Sequence, residues 1–465
     1  MSRLSLRSLT EAPRIAPLLA ALLAGCASFD AEEARRSQTE SYTNELARLE
    51  AQWLAKPLAL RDCVEIALTN NLAVRKAALD RELGRVNRDL AFSAFLPRVS
   101  ASVGYGTISD IPAPYPDNGT VYGVKGGLPV FMPSTWFLYA QARHGRVAAE
   151  IAERYTRQSI ILKTTSDFYG VRVQEQLVSA YEAQAAAASN MADRVAGLAE
   201  EGLARPWESD RARALVEKRT AELHSAERQL AVLRAELLRT LGLGPFAPIR
   251  LSDDSPPPPS FDANVTNLVL GALATHPELS LADRQVVIAE HKVREAFCDF
   301  LPKLAVFAQQ NFFDVDLAAI PEKSLLLGFS GTWDVFRGFA NVQNVRAAKN
   351  RRRRAELERQ ETFLSVMSRV LSAEAAVRDA ADAERVAAIA YEAAKSKAED
   401  LAARSREGLE NVDKALDAEA ERDLAEVDFL RASYGERVAL ANLALALGRI
   451  DVESAGGSTV GQKEN

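Results

Sequence analysis

Metal and nucleophile chemistry has little to work with in this sequence. Its four histidines, His144, His224, His276 and His291, are scattered with no HExxH spacing, and its three cysteines form no CxxC pair. No P-loop occurs, since the glycines of SVGYGTISD precede neither a helix nor a suitably placed lysine, and GFSGTW lacks the spacing of a nucleophile elbow. The expectation is no catalytic residue, no cofactor and no metal. A basic excess is also missing: 57 Lys and Arg stand against 63 Asp and Glu, for a net charge of −6. Phosphate binding needs a basic surface, so nucleic acid is not an expected partner. The one basic block, NRRRRAEL at 350–357, reads as a solvated helix face. Proline is absent between Pro133 and Pro206 and again after Pro321. That absence permits helices of roughly 65 residues, near 100 Å long.

What is present in quantity is alanine, in stretches such as YEAQAAAASNMADRVAGLAEEGLA, which suit long helices packed through small faces rather than a thick core. Leu223, Leu230 and Leu237, and later Leu416, Leu424, Val427, Tyr434, Val438 and Leu445, add a heptad-like spacing. At the N-terminus Arg3, Arg7 and Arg14 precede the apolar run APLLAALLAG, which is too short to span a bilayer as a helix and reads as a secretory signal. Leu23-Ala24-Gly25-Cys26 then resembles a bacterial lipobox, in which Cys26 would take a diacylglycerol. The plainer alternative is a signal peptide with an incidental cysteine. Ala27 and Ser28 follow instead of Asp, which in enterobacterial lipoproteins implies the outer membrane. Cys63 and Cys298 are not expected to pair, because Cys298 aligns with Ser93 in the repeat described next, about 30 residues along a helix from Cys63.

The chain is written twice. A shift of 205 places Phe95-Leu96-Pro97 on Phe300-Leu301-Pro302 and Val130-Phe131 on Val335-Phe336; a shift of 206 places Glu201-Gly202-Leu203 on Glu407-Gly408-Leu409 and Leu241-Gly242 on Leu447-Gly448. Each copy opens with an expected helix of about 35 residues, at roughly 61–95 and 263–300, ended by Leu-Pro. Two strands follow, RVSASVGYGTIS and TVYGVKGGLPVF in one copy, KLAVFAQQNFF and SLLLGFSGTWDVF in the other, with period two replacing period 3.6. Two very long helices close each copy, broken at EEGLARPWES and SREGLENVDK. The expected divisions are a signal with lipobox at 1–26, an extension at 27–57, a first repeat at 58–250, a Pro-rich linker at 251–262, a second repeat at 263–450 and a disordered tail at 451–465. Four strands cannot close a membrane barrel alone, so several chains must contribute.

The order helix, Leu-Pro, hairpin, two long helices, repeated once, is similar to the TolC-like outer-membrane efflux protein family over about residues 58 to 449. It is carried by LALRDCVEIALTNNLAVRKA and ALATHPEL, the two FLP turns, LPVF and WDVF, EGL at both tips, and LGLG and LGR. The resemblance implies a mainly α fold with β strands, in which long antiparallel helices form an α-helical barrel. It also implies a homotrimer whose three chains supply a 12-stranded transmembrane β-barrel in the outer membrane. Such a channel-tunnel conducts passively, without a cofactor, from an inner-membrane pump through a periplasmic adaptor protein to the exterior, its tunnel crossing the periplasm. A type I protein-secretion conduit shares that architecture. A lipid-anchored periplasmic coiled-coil scaffold is the alternative of another class, and it would leave the hairpins without purpose.

The resemblance also nominates residues. Gly202 and Leu203, and Gly408 and Leu409, become adaptor-docking tips; Glu208 occupies the acidic place six positions after Gly202, whereas Lys414 occupies it after Gly408. Leu416-Asp417-Ala418 matches an aperture motif of pump-linked members, with Asp413 one turn earlier, so Asp413 and Asp417 are aperture candidates. Their bland reading is first-turn carboxylates favoured by the helix dipole. Trp136, Phe137 and Tyr139 after the first hairpin, with Trp333 and Phe336 after the second, read as an aromatic belt at the membrane interface or as junction core.

Overall fold

Residues 30–107, 118–252, 261, 264–314, 323–407, 409–410 and 412–450 are described by the structure, a computed structural model. The chain divides into two compact units, Met1–Lys56 and Pro57–Asn465. In the first, helix α1 (Ala31–Trp53) starts where the Asp30 carboxylate accepts from the backbone N–H of Glu32 and Glu33, at 2.9 and 3.2 Å. No residue of α1 is buried. Cys26, the linker residues 253–260 and the tail from 451 lie outside the described residues.

The second unit begins with α2 (Leu60–Asn70) and α3 (Leu72–Ser93) and mirrors them later with α6 (Val265–Thr275) and α7 (Pro277–Phe297). The single opening helix expected in each copy is thus two helices. Asn71 leaves helical geometry at ψ 128° and caps α3 by accepting from Ala73 N–H at 2.8 Å. His276 does the same at ψ 129°, because Pro277 at the first position of α7 disfavours helical geometry in the residue before it. The breaks fall at equivalent places, 205 residues apart.

The Leu-Pro turns end the helical stretch, and strands start at the next residue in both copies. Strands β1 (Arg98–Thr107), β2 (Asn118–Phe131), β3 (Lys303–Asp314) and β4 (Lys323–Thr332) make one antiparallel sheet in the order β1-β2-β3-β4, its two hairpins joined through β2 and β3. The long helices are α4 (Pro133–Glu200), α5 (Pro206–Leu241), α8 (Ala340–Arg406) and α9 (Val412–Ala446). At 1.5 Å per residue α4 and α8 are about 100 Å long.

Packing repeats the sheet's order. Above the breaks the helices lie α3-α4-α7-α8; below them α5-α4-α9-α8. Alanine permits the close approach, as Ala394 and Ala398 of α8 and Ala415 and Ala418 of α9 are all buried. The Tyr391 and Phe429 rings stack across the same two helices at 6.0 Å. The thickest apolar packing sits at the level of the breaks. Leu60, Val64, Ile66, Leu237 and Leu241 serve the first copy, and Leu268, Ala272, Val366, Val370, Leu443 and Leu447 the second. Full burial of each such leucine contributes about 1.5–3 kcal/mol. A short parallel bridge, Leu58 to Leu251, ties the start of the first copy to its end. Cys63 and Cys298 are both free and buried, and burial pushes the Cys63 thiol up to about 12, so it is inert as a nucleophile.

Candidate functional site

The strand register sorts the sheet's side chains by chemistry. Val99, Ala101, Val103 and Tyr105 pair with Gly126, Val124, Tyr122 and Thr120, and that face continues through Val306, Ala308, Gln310 and Phe312 to Phe329, Leu327, Leu325 and Lys323. It is apolar over most of its area and open: Phe329 is 86% exposed and Val99 74%. The opposite face presents Ser100 and Ser102 on β1, Lys125 on β2, Gln309 and Asn311 on β3, and Ser324 and Ser330 on β4, interrupted by the apolar Val121, Phe307 and Leu326. There Gln309 donates to Asn311 at 3.0 Å. One face suited to lipid and one suited to water, alternating with period two, is the pattern of a transmembrane barrel wall. Both β1 and β4 are edge strands, with unpaired backbone groups that hydrocarbon does not tolerate.

Aromatic rings gather at the two sheet-to-helix junctions. Trp136 meets Phe95 edge-on at 5.0 Å, and Tyr139 touches both Phe95 and Phe92, so α3 and α4 are clasped just below β1 and β2. Phe137 points elsewhere, to His291 of α7 at 6.2 Å. On the other side the Trp333 indole donates to the Phe300 carbonyl at 3.1 Å, and Phe336 packs edge-on with Phe339 at 5.3 Å. Trp136, Trp333 and Phe336 nonetheless keep 66%, 61% and 72% of their surface open.

At the opposite end, α4 turns into α5 through Gly202, whose φ of +75° is left-handed. Leu203 N–H reaches back to the Leu198 carbonyl at 2.8 Å, and Leu409 N–H reaches back to Arg404 at 2.9 Å, the same five-residue closure in both copies. Gly408 lies outside the described residues. Leu203 and Leu409 are exposed. Glu208 is already engaged within its own chain, because its carboxylate accepts from Arg205 N–H at 2.8 Å and so caps α5, beside Pro206 at the first helical position. Lys414 pairs with Glu410 at 3.0 Å. Asp417 is exposed in the second turn of α9, and Asp413 stands in the first turn, its side chain outside the described residues.

Three polar arrangements were not read from the sequence. At the level of the helix breaks Arg369 of α8 grips Glu278 of α7 with both guanidinium nitrogens and also donates to Tyr155 of α4 at 3.3 Å. Burial raises the Glu278 carboxyl, but the hydrogen bonds from Arg369 and Tyr155 outweigh it and hold the group below the usual carboxylate range. THPEL fixes Glu278 at the second position of a proline-started helix but does not name its partner on α8. Higher up, His144 of α4 stacks on His291 of α7 at 5.5 Å, with Arg284 3.3 Å from His144 Nδ1. Lower down, Glu384 of α8 faces Glu436 of α9, and sharing a proton with it raises the Glu436 carboxyl. No pattern within one helix foretells contacts between helices so distant in sequence. Among the described residues no group of three or more His, Cys, Asp or Glu could hold a metal.

Comparison with known proteins agrees with this geometry. The chain matches the outer membrane efflux protein family over residues 63–243 and 268–449, one segment in each copy. No curated protein sequence gives a significant match. Among solved structures, the Campylobacter jejuni CmeC outer membrane channel superposes with a TM-score of 0.73 at 19% identity, over 84% of this chain and 85% of that one. The open-state Neisseria gonorrhoeae MtrE outer membrane channel gives 0.68 at 20% identity, over 84% and 88%. The Vibrio cholerae outer membrane protein VceC gives 0.67 at 15%, over 84% and 96%. With both copies matched and the helix-hairpin order in common, this internally duplicated chain belongs to the outer membrane efflux protein family.

Proposed function

We propose that three copies of this chain close into one conduit, a 12-stranded barrel in the outer membrane continued by a helical tunnel, and that Cys26 anchors each copy by lipid. The family supplies the outer-membrane efflux role, and its members are channels rather than enzymes. The observation that carries the closed ring is the match of open edges at every level. β1, α3 and α5 end the sheet and the two helical layers on one side, while β4 and α8 end them on the other. A head-to-tail contact between copies would pair all of these edges at once, and rotation closes it into a ring. The tips at Gly202, Leu203, Glu208, Gly408 and Leu409 are the proposed docking place of a periplasmic adaptor that links the conduit to an inner-membrane pump. Asp413 and Asp417 are the proposed aperture carboxylates, and Trp136, Phe137, Tyr139, Trp333 and Phe336 the proposed interfacial belt.

Purified protein tests the reading in planar bilayers, with gel migration before and after heating. Ohmic channels from a heat-dissociable oligomer of three chains are expected. A well-folded oligomer that conducts nothing overturns the conduit. Labelling with radioactive palmitate should mark the wild type and spare Cys26→Ser; equal labelling removes the anchor from the proposal.

A further inference from the structure

The four strands carry almost no negative charge. Their only acidic residue is Asp314, at the loop end of β3. On the polar face the described strand residues include no carboxylate, but three cations: Arg98 and Lys303 at the strand starts, and Lys125 in the middle of β2. Lys303 has a counter-ion, Asp299, at 3.9 Å. Lys125 has none among the described residues. Its register neighbours are Ser100 on one side and Gln309 on the other, with Leu326 beyond, and its side chain is exposed.

The placement is informative because a lysine costs most at mid-strand. On the lipid face a mid-plane lysine is destabilising by about 2–4 kcal/mol. The register puts Lys125 on the other face, among hydroxyl and amide groups. The opposite face holds its one described lysine, Lys323, at the first residue of β4, beside the loop, where a long side chain reaches water.

We propose that Lys125 forms an anion-accepting ring inside the barrel, one ammonium from each copy, so that the outer-membrane section of the conduit favours negatively charged solutes. The inference rests on the ring-closure reading, which turns the polar face into the lumen. A ring of unpaired ammonium groups around an aqueous passage raises the local anion concentration, as lysine and arginine rings do in anion pores. The substrates it fits best carry carboxylate, sulfonate or phosphate groups. The loops, outside the described residues, contain Asp110, Asp117, Asp316 and Glu322. A test must therefore isolate the lysine from the charge at the mouth.

Reversal potentials in a KCl gradient do so when read as differences between variants. Lys125→Gln should lower the chloride-to-potassium permeability ratio at least about twofold, and Lys125→Glu should lower it further. Lys125→Arg should leave it near the wild-type value, which separates loss of charge from disturbance of the wall. Ratios that are equal in the wild type, Lys125→Gln and Lys125→Glu overturn the ring while leaving the conduit intact. Absence of channels from the folded wild type instead overturns the conduit on which the ring depends.

Discussion

Gly242 lies directly against Asn70: a Cβ on the glycine would stand 2.6 Å from the Asn70 carbonyl oxygen. The end of α5 is thereby pressed into the break between α2 and α3, and Asn71 completes the joint by donating to the Thr240 carbonyl at 2.7 Å. Gly448 repeats the relationship 206 residues later, where a Cβ would stand 2.7 Å from Pro277 Cδ. Both glycines are left-handed, at φ +74° and +68°.

Gly242→Ala should therefore weaken the fold in two ways, through the left-handed backbone and through the clash with Asn70. The backbone alone costs roughly 1–2 kcal/mol. The thermal unfolding midpoint should shift clearly downward, and Gly448→Ala should do the same. Gly145→Ala is the control, because nothing lies within 4 Å of its added Cβ.

Arg369→Gln should cost roughly 1–2 kcal/mol, a figure kept low because its side chain is 39% exposed. Glu278 has a depressed carboxyl pKa, so the stability it contributes is present above its unfolded pKa of about 4.5 and is lost as pH falls through the lower folded value. Unfolding of the wild type at acid pH should show that loss. The Arg369→Gln variant should show less of it, because the hydrogen bonds that depress the group are gone.

The stacked histidines titrate in a different window. Burial, helped by Arg284 at His144 and by Arg294 and Arg143 at His291, lowers both rings, against the opposing pull of Glu290 on His291. Their contribution is complete above the ordinary value of 6.5 and is lost as pH falls through the depressed values. Folding stability should drop as pH falls below 6.5, and His144→Gln with His291→Gln should flatten that slope.

Trp136 and Trp333 should be quenched by phospholipids spin-labelled at the headgroup, when each is the sole tryptophan of the reconstituted protein. Trp207, in the first turn of α5 beside the tip, should not be quenched. Equal quenching of all three would remove the belt assignment.

Asp417→Asn should move ion selectivity opposite to Lys125→Gln, raising the relative permeability of chloride. An unchanged ratio would leave Asp417 as a helix-start carboxylate only.

The duplication, the hairpins and the long helices were legible because each imposes a period or a punctuation. Pro97 and Pro302 mark the change from helix to strand to the residue, with β1 and β3 beginning at Arg98 and Lys303. The breaks at Asn71 and His276 were written in TNNLAV and THPEL, but apolar periodicity runs through both and masks a one-residue interruption. The Arg369–Glu278 grip and the His144–His291 stack were beyond reach. They depend on which faces of four helices meet, and an alanine-rich helix offers several nearly equivalent faces. Glu208 shows another limit: the resemblance nominated it for docking, while the structure reveals a capping bond to Arg205 N–H that its position alone did not announce.

The unpaired edges at β1 and β4 bear on how the protein is made. A lone chain cannot enter hydrocarbon, since each unsatisfied backbone group there costs several kcal/mol. Its helices, by contrast, bury their joints within one chain and need no membrane. On the proposed ring, biogenesis would run in an order: helical halves first, association second, and insertion as a collective event whose rate would rise steeply with chain concentration. Before association, the apolar strands with open edges would be the part of the molecule most exposed to mispairing.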